Sequence, residues 1–257
     1  MPINLLAICV GNTRTRVGTF VDDQLVDSHA LVNTNIQLLD AQIRESFRSI
    51  AGRRSPAVML ASTCRPVGER VSDVLRQLGS KVVVVEKDMN IPIGRQLDPE
   101  AIVGDDRLLN AAAAYDTLHQ SCVVVDAGTA ITVDYVDATG IFHGGAIGPG
   151  SHMMLKALSQ QTWQLPEIDR LEHPAEPIGH NTIEAMRCGV FHALRGMVRE
   201  LTEQYANIAG SYPAVVATGG DAELLFKDYE LVEHIVDNLT LLGMKLTLEG
   251  AKESRND

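Results

Sequence analysis

The chain carries one folding pattern twice, and that repetition limits what it can become. The apolar run Leu5-Leu6-Ala7-Ile8-Cys9-Val10 ends in Gly11-Asn12-Thr13. An alternating stretch from Arg16 to Val21, an acidic turn at Asp22-Asp23-Gln24 and the start of a third strand at Leu25-Val26 follow. Much further on, Cys122-Val123-Val124-Val125-Asp126-Ala127 runs into Gly128-Thr129. Ala130 to Val136 then alternates, Asp137-Ala138-Thr139-Gly140 turns, and Ile141-Phe142-His143-Gly144-Gly145 opens another strand. A short apolar run bounded by turn residues reads as a strand buried on both faces, and period-two alternation reads as a half-buried one. Aligning Gly11 with Gly128 sets Ile8 against Val125 and Cys9 against Asp126. The repeat predicts two related α/β domains, each opening on a meander.

The intervening segments fit that plan. Ile36, Leu39, Ile43, Phe47 and Ile50 have helical spacing, which predicts a helix over 35–52. Ala57 to Ser62 and Val82 to Val85 read as strands around a helix over 66–79 that closes on Gly79. Helices are also expected over 105–119, 151–165, 181–208, 221–227 and 230–250, with a late strand from Tyr212 to Thr218. Strands alternating with helices give the α/β class. The expected domains are 1–117 and 118–257, and the polar tail Glu253-Ser254-Arg255-Asn256-Asp257 is expected to fray.

Composition narrows the partners. Of 257 residues, 45% are hydrophobic, so each half can bury its own core. With 22 Lys+Arg against 33 Asp+Glu the net charge is −11, which repels nucleic acid and anionic membranes at long range. A local pocket can still take a small anion. No apolar run approaches the ~20 residues of a membrane span. The N-terminus lacks the basic stretch of a secretory signal. The four cysteines, Cys9, Cys64, Cys122 and Cys188, form no CxxC pair, which suggests reduced thiols in a cytoplasmic protein.

The chemistry gathers at glycine-bearing turns. Gly11-Asn12-Thr13 offers consecutive N–H groups to phosphate oxygens, although a tight hairpin uses the same residues. Asp126-Ala127-Gly128-Thr129 has the same form with a carboxylate at the strand end, suited to a cation that bridges to a nucleotide, or to a capped turn. Thr218-Gly219-Gly220-Asp221 could pack bare backbone against an adenosine. In Gly104-Asp105-Asp106-Arg107, at a helix start, Asp106 takes the chemical role and Asp105 the cap, while Arg107 can bind a carboxylate or phosphate. The stretch Gly144-Gly145-Ala146-Ile147-Gly148-Pro149-Gly150 allows close backbone approach. The eight histidines form no HxxxH ligand pair.

Taken in order, these motifs resemble the type III pantothenate kinases of the acetate-kinase, sugar-kinase, chaperone and actin superfamily. To the turns already named, the resemblance adds Thr162-Trp163-Gln164-Leu165-Pro166 and Gly179-His180-Asn181-Thr182. It implies two duplicated ribonuclease-H-like, actin-like domains, with mixed sheets flanked by helices and a central cleft, in a homodimer. It implies transfer of the ATP γ-phosphoryl group to the hydroxyl of pantothenate, the first step of coenzyme A synthesis. By matching positions, Asp106 would accept the proton, and Gly104, Asp105, Asp106, Arg107 and Thr182 would line the pantothenate site. Cys9, Val10, Gly11, Asn12, Thr13, Arg14, Thr15, Arg16 and Thr129 would contact ATP. Asp126 would hold a monovalent cation (K⁺ or NH₄⁺), with Mg²⁺ travelling on the nucleotide.

One position departs from the family pattern. The first loop usually reads Asp-x-Gly-Asn-Thr, and here Cys9 stands at its first place. Losing one anionic ligand would cost a few kcal/mol, on the order of 10²–10³ in rate. Cys9 therefore keeps a second reading open, a catalytically impaired relative with a binding or regulatory role. A kinase for another small alcohol is a third. Gly94-Arg95-Gln96-Leu97 also differs, where many members carry an aromatic residue.

Overall fold

The computed structural model describes residues 2–253, so residues 254–257 of the polar tail lie outside the described residues. The chain forms two compact units. The first comprises 1–93, 99–113 and 238–257, and the second 94–98 and 114–237. This division departs from the expected 1–117 and 118–257 because the C-terminal segment returns to the first unit.

In the first unit β1 (Asn4–Val10) lies at the centre of its sheet, with every residue buried. It pairs antiparallel with β2 (Arg14–Val21) and parallel with β4 (Pro56–Ser62). With β3 (Gln24–Val32) and β5 (Val82–Val84) the strand order is β3-β2-β1-β4-β5. Alternation sends Leu6, Ile8 and Val10 to one face. There they join a core with Leu39, Ile43 and Ile50 of α1 (Ile36–Ala51) and Val71, Val74 and Leu75 of α2 (Arg65–Gln77). Asn35 caps α1 by accepting a hydrogen bond from the Leu38 N–H at 3.2 Å. The opposite face meets α7 (Leu239–Glu253), because Gly18 pairs with Ala7 and a Cβ built on Gly18 would lie 2.6 Å from Leu241.

In the second unit β7 (Cys122–Ala127) takes the place of β1. It pairs antiparallel with β8 (Ala130–Val136) and parallel with β10 (Ala214–Thr218). With β6 (Gly94–Arg95), β9 (Ile141–Pro149) and β11 (His234–Ile235) the order is β11-β10-β7-β8-β9-β6. Without β6 this is the first sheet again, strand for strand and with the same senses. The sequence repeat is thus a repeat of topology. The register agrees with the alignment: Cys9 lies opposite Arg16 and Ala61, and Asp126 lies opposite Thr132 and Thr218. Each is the penultimate residue of its central strand. The second core joins Val123, Val125, Val133, Val215 and Ala217 to Leu155 of α4 (Ser151–Gln160) and Phe191, Leu194 and Val198 of α5 (Thr182–Ala209).

Four element bounds read from the sequence change. The glycine-rich stretch from Gly144 to Pro149 is the second half of β9, paired with β8. A Cβ on Gly145 would fall 2.1 Å from the Val133 carbonyl oxygen, so glycine there lets two strands approach. The helix expected over 151–165 ends at Gln160. The helix expected over 230–250 is β11 followed by α7, which begins at Leu239. The helix expected over 221–227 is the short α6 (Ala222–Phe226). Among the described residues no helix is long and apolar enough to cross a membrane.

Candidate active site

The first unit builds its chemistry where β1 and α3 (Asp105–Leu118) begin or end. Past Val10 the loop folds back at once, with the Gly11 N–H donating to the Arg14 carbonyl at 3.0 Å. Asn12, Thr13 and Arg14 are exposed, Thr15 is buried, and Gly11 and Arg16 are half-buried. Cys9 is buried at the strand end, as is Val10.

Thr63, just after β4, ties this loop to the GxDR turn. Its N–H donates to the Val10 carbonyl at 2.9 Å, and its hydroxyl donates to the same oxygen at 3.3 Å. Its methyl lies 3.4 Å from where a Cβ on Gly104 would sit. Gly104 therefore stands near the end of β1, and Asp105, Asp106 and Arg107 follow it at the head of α3. Thr63 escaped the sequence reading, and its only signal is a polar residue directly after a buried strand.

Gly104, and not Asp105, holds the cap position of α3. The Gly104 carbonyl accepts from the Arg107 N–H at 3.1 Å and the Leu108 N–H at 3.5 Å. Asp105 and Asp106 both lie in the first turn, where carboxylates complement the helix dipole. A Cβ at 104 would come 2.5 Å from the Asp106 Oδ1, so a larger residue there would push the carboxylate aside. Asp106 is the perturbed group. Burial raises its pKa above the ordinary carboxylate range, and the Arg107 N–H, donating to Oδ1 at 2.9 Å, together with the Arg107 charge, offsets this only in part. A carboxylate held less stable than usual is a better proton acceptor.

The second unit places its groups at the corresponding strand ends. Asp126 is half-buried, with its Oδ1 3.4 Å from a Cβ built on Gly128 and 2.6 Å from one built on Gly219. Gly219 has φ +101°, which an L side chain rarely adopts. Two bare glycines thus leave the carboxylate uncovered on these sides. Gly128 donates to the Ala130 carbonyl at 3.0 Å, and exposed Thr129 accepts from the Gly150 N–H at 3.1 Å. The Asp221 N–H donates to the Ala127 carbonyl at 3.0 Å, and the Asp221 carboxylate accepts from the Ser151 hydroxyl at 2.5 Å. The Thr218-Gly219-Gly220-Asp221 turn, the Gly150–Ser151 junction and the Asp126 loop form one cluster. Thr182 is exposed as the first residue of α5, which Asn181 caps by accepting from the Glu184 N–H at 3.0 Å. No group of three or more metal-ligating side chains occurs among the described residues.

A family model for type III pantothenate kinase matches residues 5–204. A type III pantothenate kinase of Geobacter sulfurreducens is 33% identical over 258 residues, covering 97% of this chain and 100% of its own length. Among solved structures, a Baf family protein of Campylobacter jejuni matches with a TM-score of 0.60 at 19% identity, covering 96% of this chain and 99% of that one. The activator of the 2-hydroxyisocaproyl-CoA dehydratase from Clostridium difficile, solved with bound ADPNP, matches with a TM-score of 0.56 at 12% identity, covering 99% of this chain and 97% of that one. At these identities the two structures bear on the fold alone.

Proposed function

Because this chain belongs to the type III pantothenate kinases, which transfer the ATP γ-phosphoryl group to pantothenate in coenzyme A synthesis, we propose that Asp106 is its proton acceptor. The observation that carries this is the burial that lifts the Asp106 pKa at the head of α3. A general base works best when its pKa approaches the working pH. Asp106 draws the proton from the substrate hydroxyl as the oxygen attacks phosphorus. Gly104, Asp105 and Arg107, with Thr182, bind and orient pantothenate, and the Arg107 guanidinium suits its carboxylate. Residues 9–16 and Thr129 hold ATP, largely through backbone N–H groups, which approach phosphates closely at glycine turns.

The kinase uses a nucleotide and a divalent metal. We take that metal to be Mg²⁺, and the donors present fit an ion carried on the triphosphate better than one caged by protein. Mg²⁺ commonly takes one or two carboxylates and completes its shell with phosphate oxygens and water. Asp126, beside which Gly128 and Gly219 place no side chain, is the carboxylate we assign to the monovalent cation, K⁺ or NH₄⁺. A cation held there would supply positive charge to offset that of the triphosphate. A homodimer in the cytoplasm completes this reading, and sedimentation velocity tests the dimer.

The central experiment is a coupled ADP-release assay with ATP, Mg²⁺ and pantothenate, run on the parent and on Asp106→Asn. Turnover in the parent and its loss in a folded variant support the assignment. Undiminished kcat in the variant refutes the role given to Asp106. Replacing K⁺ by Na⁺ in the same assay reads the monovalent cation.

A further inference from the structure

The first phosphate turn has a bond of its own, from the Gly11 N–H to the Arg14 carbonyl, but its other carbonyls are held by a residue outside it. Asn33 lies immediately after β3. Its side-chain amide donates to the Gly11 carbonyl at 2.8 Å and to the Asn12 carbonyl at 3.2 Å. Its side-chain oxygen accepts from the Thr15 hydroxyl at 2.7 Å, and its own N–H donates to the Thr13 carbonyl at 2.9 Å. The two carbonyls can only accept, which fixes which way the amide faces, and the wholly buried Thr15 hydroxyl donates to the oxygen that this leaves. One side chain thus engages the turn at three points, and its backbone adds a fourth.

The consequence follows from peptide geometry. Among the described residues no peptide is cis, so each C=O points opposite to the N–H of the same unit. Drawing the Gly11 and Asn12 carbonyls onto one amide turns the Asn12 and Thr13 N–H groups together to the other side. Consecutive N–H groups sharing a direction form an anion-binding nest. We infer that Asn33 is a positioning residue for nucleotide binding, holding the Gly11–Thr13 backbone with its N–H groups turned toward the phosphates of ATP. This rests on the reading of residues 9–16 as an ATP loop. Asn33 itself touches no reacting atom.

The test is calorimetric titration of the parent and Asn33→Ala with ATP–Mg²⁺, alongside steady-state KM values for ATP and pantothenate. Losing two amide donors should weaken ATP binding by about tenfold, with KM for pantothenate within about twofold and the melting temperature little changed. Asn33→Asp should fail in the same way, because it keeps the acceptor for Thr15 but sets an oxygen against two carbonyls. If Asn33→Ala does not fold, Thr15→Val keeps Asn33 and removes the bond that anchors its side-chain oxygen, and it should also weaken ATP. Equal ATP affinity in parent and folded variants overturns the inference and leaves the kinase reading standing. A parent that binds ATP without phosphorylating pantothenate would sink the substrate assignment instead, and the affinity ratio would still decide the role of Asn33.

Discussion

At the scale of single residues, the site works against stability at one position and lacks charge at another. Asp106 is buried enough that its charged form is disfavoured. A raised carboxyl pKa means that the folded state binds the proton more tightly than the unfolded chain does. The stability linked to Asp106 is therefore fully present at low pH and is lost as pH rises through the folded-state value. Asp106→Asn, neutral at every pH, should melt above the parent near neutrality, and the gap should close as both are acidified. The same change should lower kcat by about 10²–10⁴-fold. The acid limb of kcat/KM in the parent should lie above the ordinary Asp value of about 3.9. A melting curve and a pH–rate profile on the same two proteins check both signs. Cys9 poses the opposite question. It occupies in β1 the place that Asp126 occupies in β7, at matching register, so Cys9→Asp restores the carboxylate that the family pattern carries there. Turnover should rise, by up to about 10²–10³, while the buried position costs stability. Unchanged kcat across a Mg²⁺ series would mean that this place needs no anion.

At the scale of elements, α3 carries Asp106, and α7 determines how α3 sits. A Cβ on Gly243 would lie 2.2 Å from the Leu109 carbonyl oxygen, and the Thr240 hydroxyl donates to the buried Asn110 side chain at 2.7 Å. Asn110 is one turn beyond Asp106 on the same helix. Gly243→Ala sets two magnitudes against each other. Helix propensity favours alanine by about 1 kcal/mol, whereas overpacking against a backbone that cannot yield costs about 1–3 kcal/mol. The clash should win, so urea unfolding should show a net loss and kcat should fall as α3 shifts. Gly250→Ala on the same helix meets, among the described residues, Pro92 at 3.9 Å, an ordinary contact, and should instead gain a few tenths to about 1 kcal/mol. If both glycines respond alike, packing at Gly243 is not what sets α3.

How far these elements could be read in advance depended on side-chain pattern. β1 and β7 were plain because central strands are apolar along their whole length. Leu39, Ile43 and Ile50 announced α1 by spacing. β6 and β11, of two residues each, are too short to carry any period. The second half of β9 was hidden because its glycines show no alternation, and they are there to admit the backbone of β8. Thr63 and Asn33 went unnoticed for a related reason. Their importance lies in carbonyls contributed from distant strands, and no local spacing encodes that. The repeat did locate Asp126, and the motif did locate Asp106, because both stand at strand or helix ends that hydrophobic pattern defines.

At the scale of the whole molecule, the chain passes between its two units more than once, and its last helix completes the unit that its first strand began. The family model ends at residue 204, well before this helix, yet the first unit needs it. Leu239, Leu241, Met244 and Leu248 of α7 are between 0% and 6% exposed. At about 1.5–3 kcal/mol for each buried side chain, removing them forfeits roughly 6–12 kcal/mol, while a whole domain is stable by about 5–15 kcal/mol. The two quantities are of one size, so a chain ending at Asp237 should lose the first unit outright. The second core, with the hydrophobics packed against it, draws on residues between Val123 and Ile235, all before the cut, and should survive. Amide hydrogen exchange separates the two outcomes, because β7 and β10 should stay protected in the shortened chain while β1 and β4 exchange freely. Protection of β1 at the parental level would mean that α7 only covers the first unit and does not hold it together.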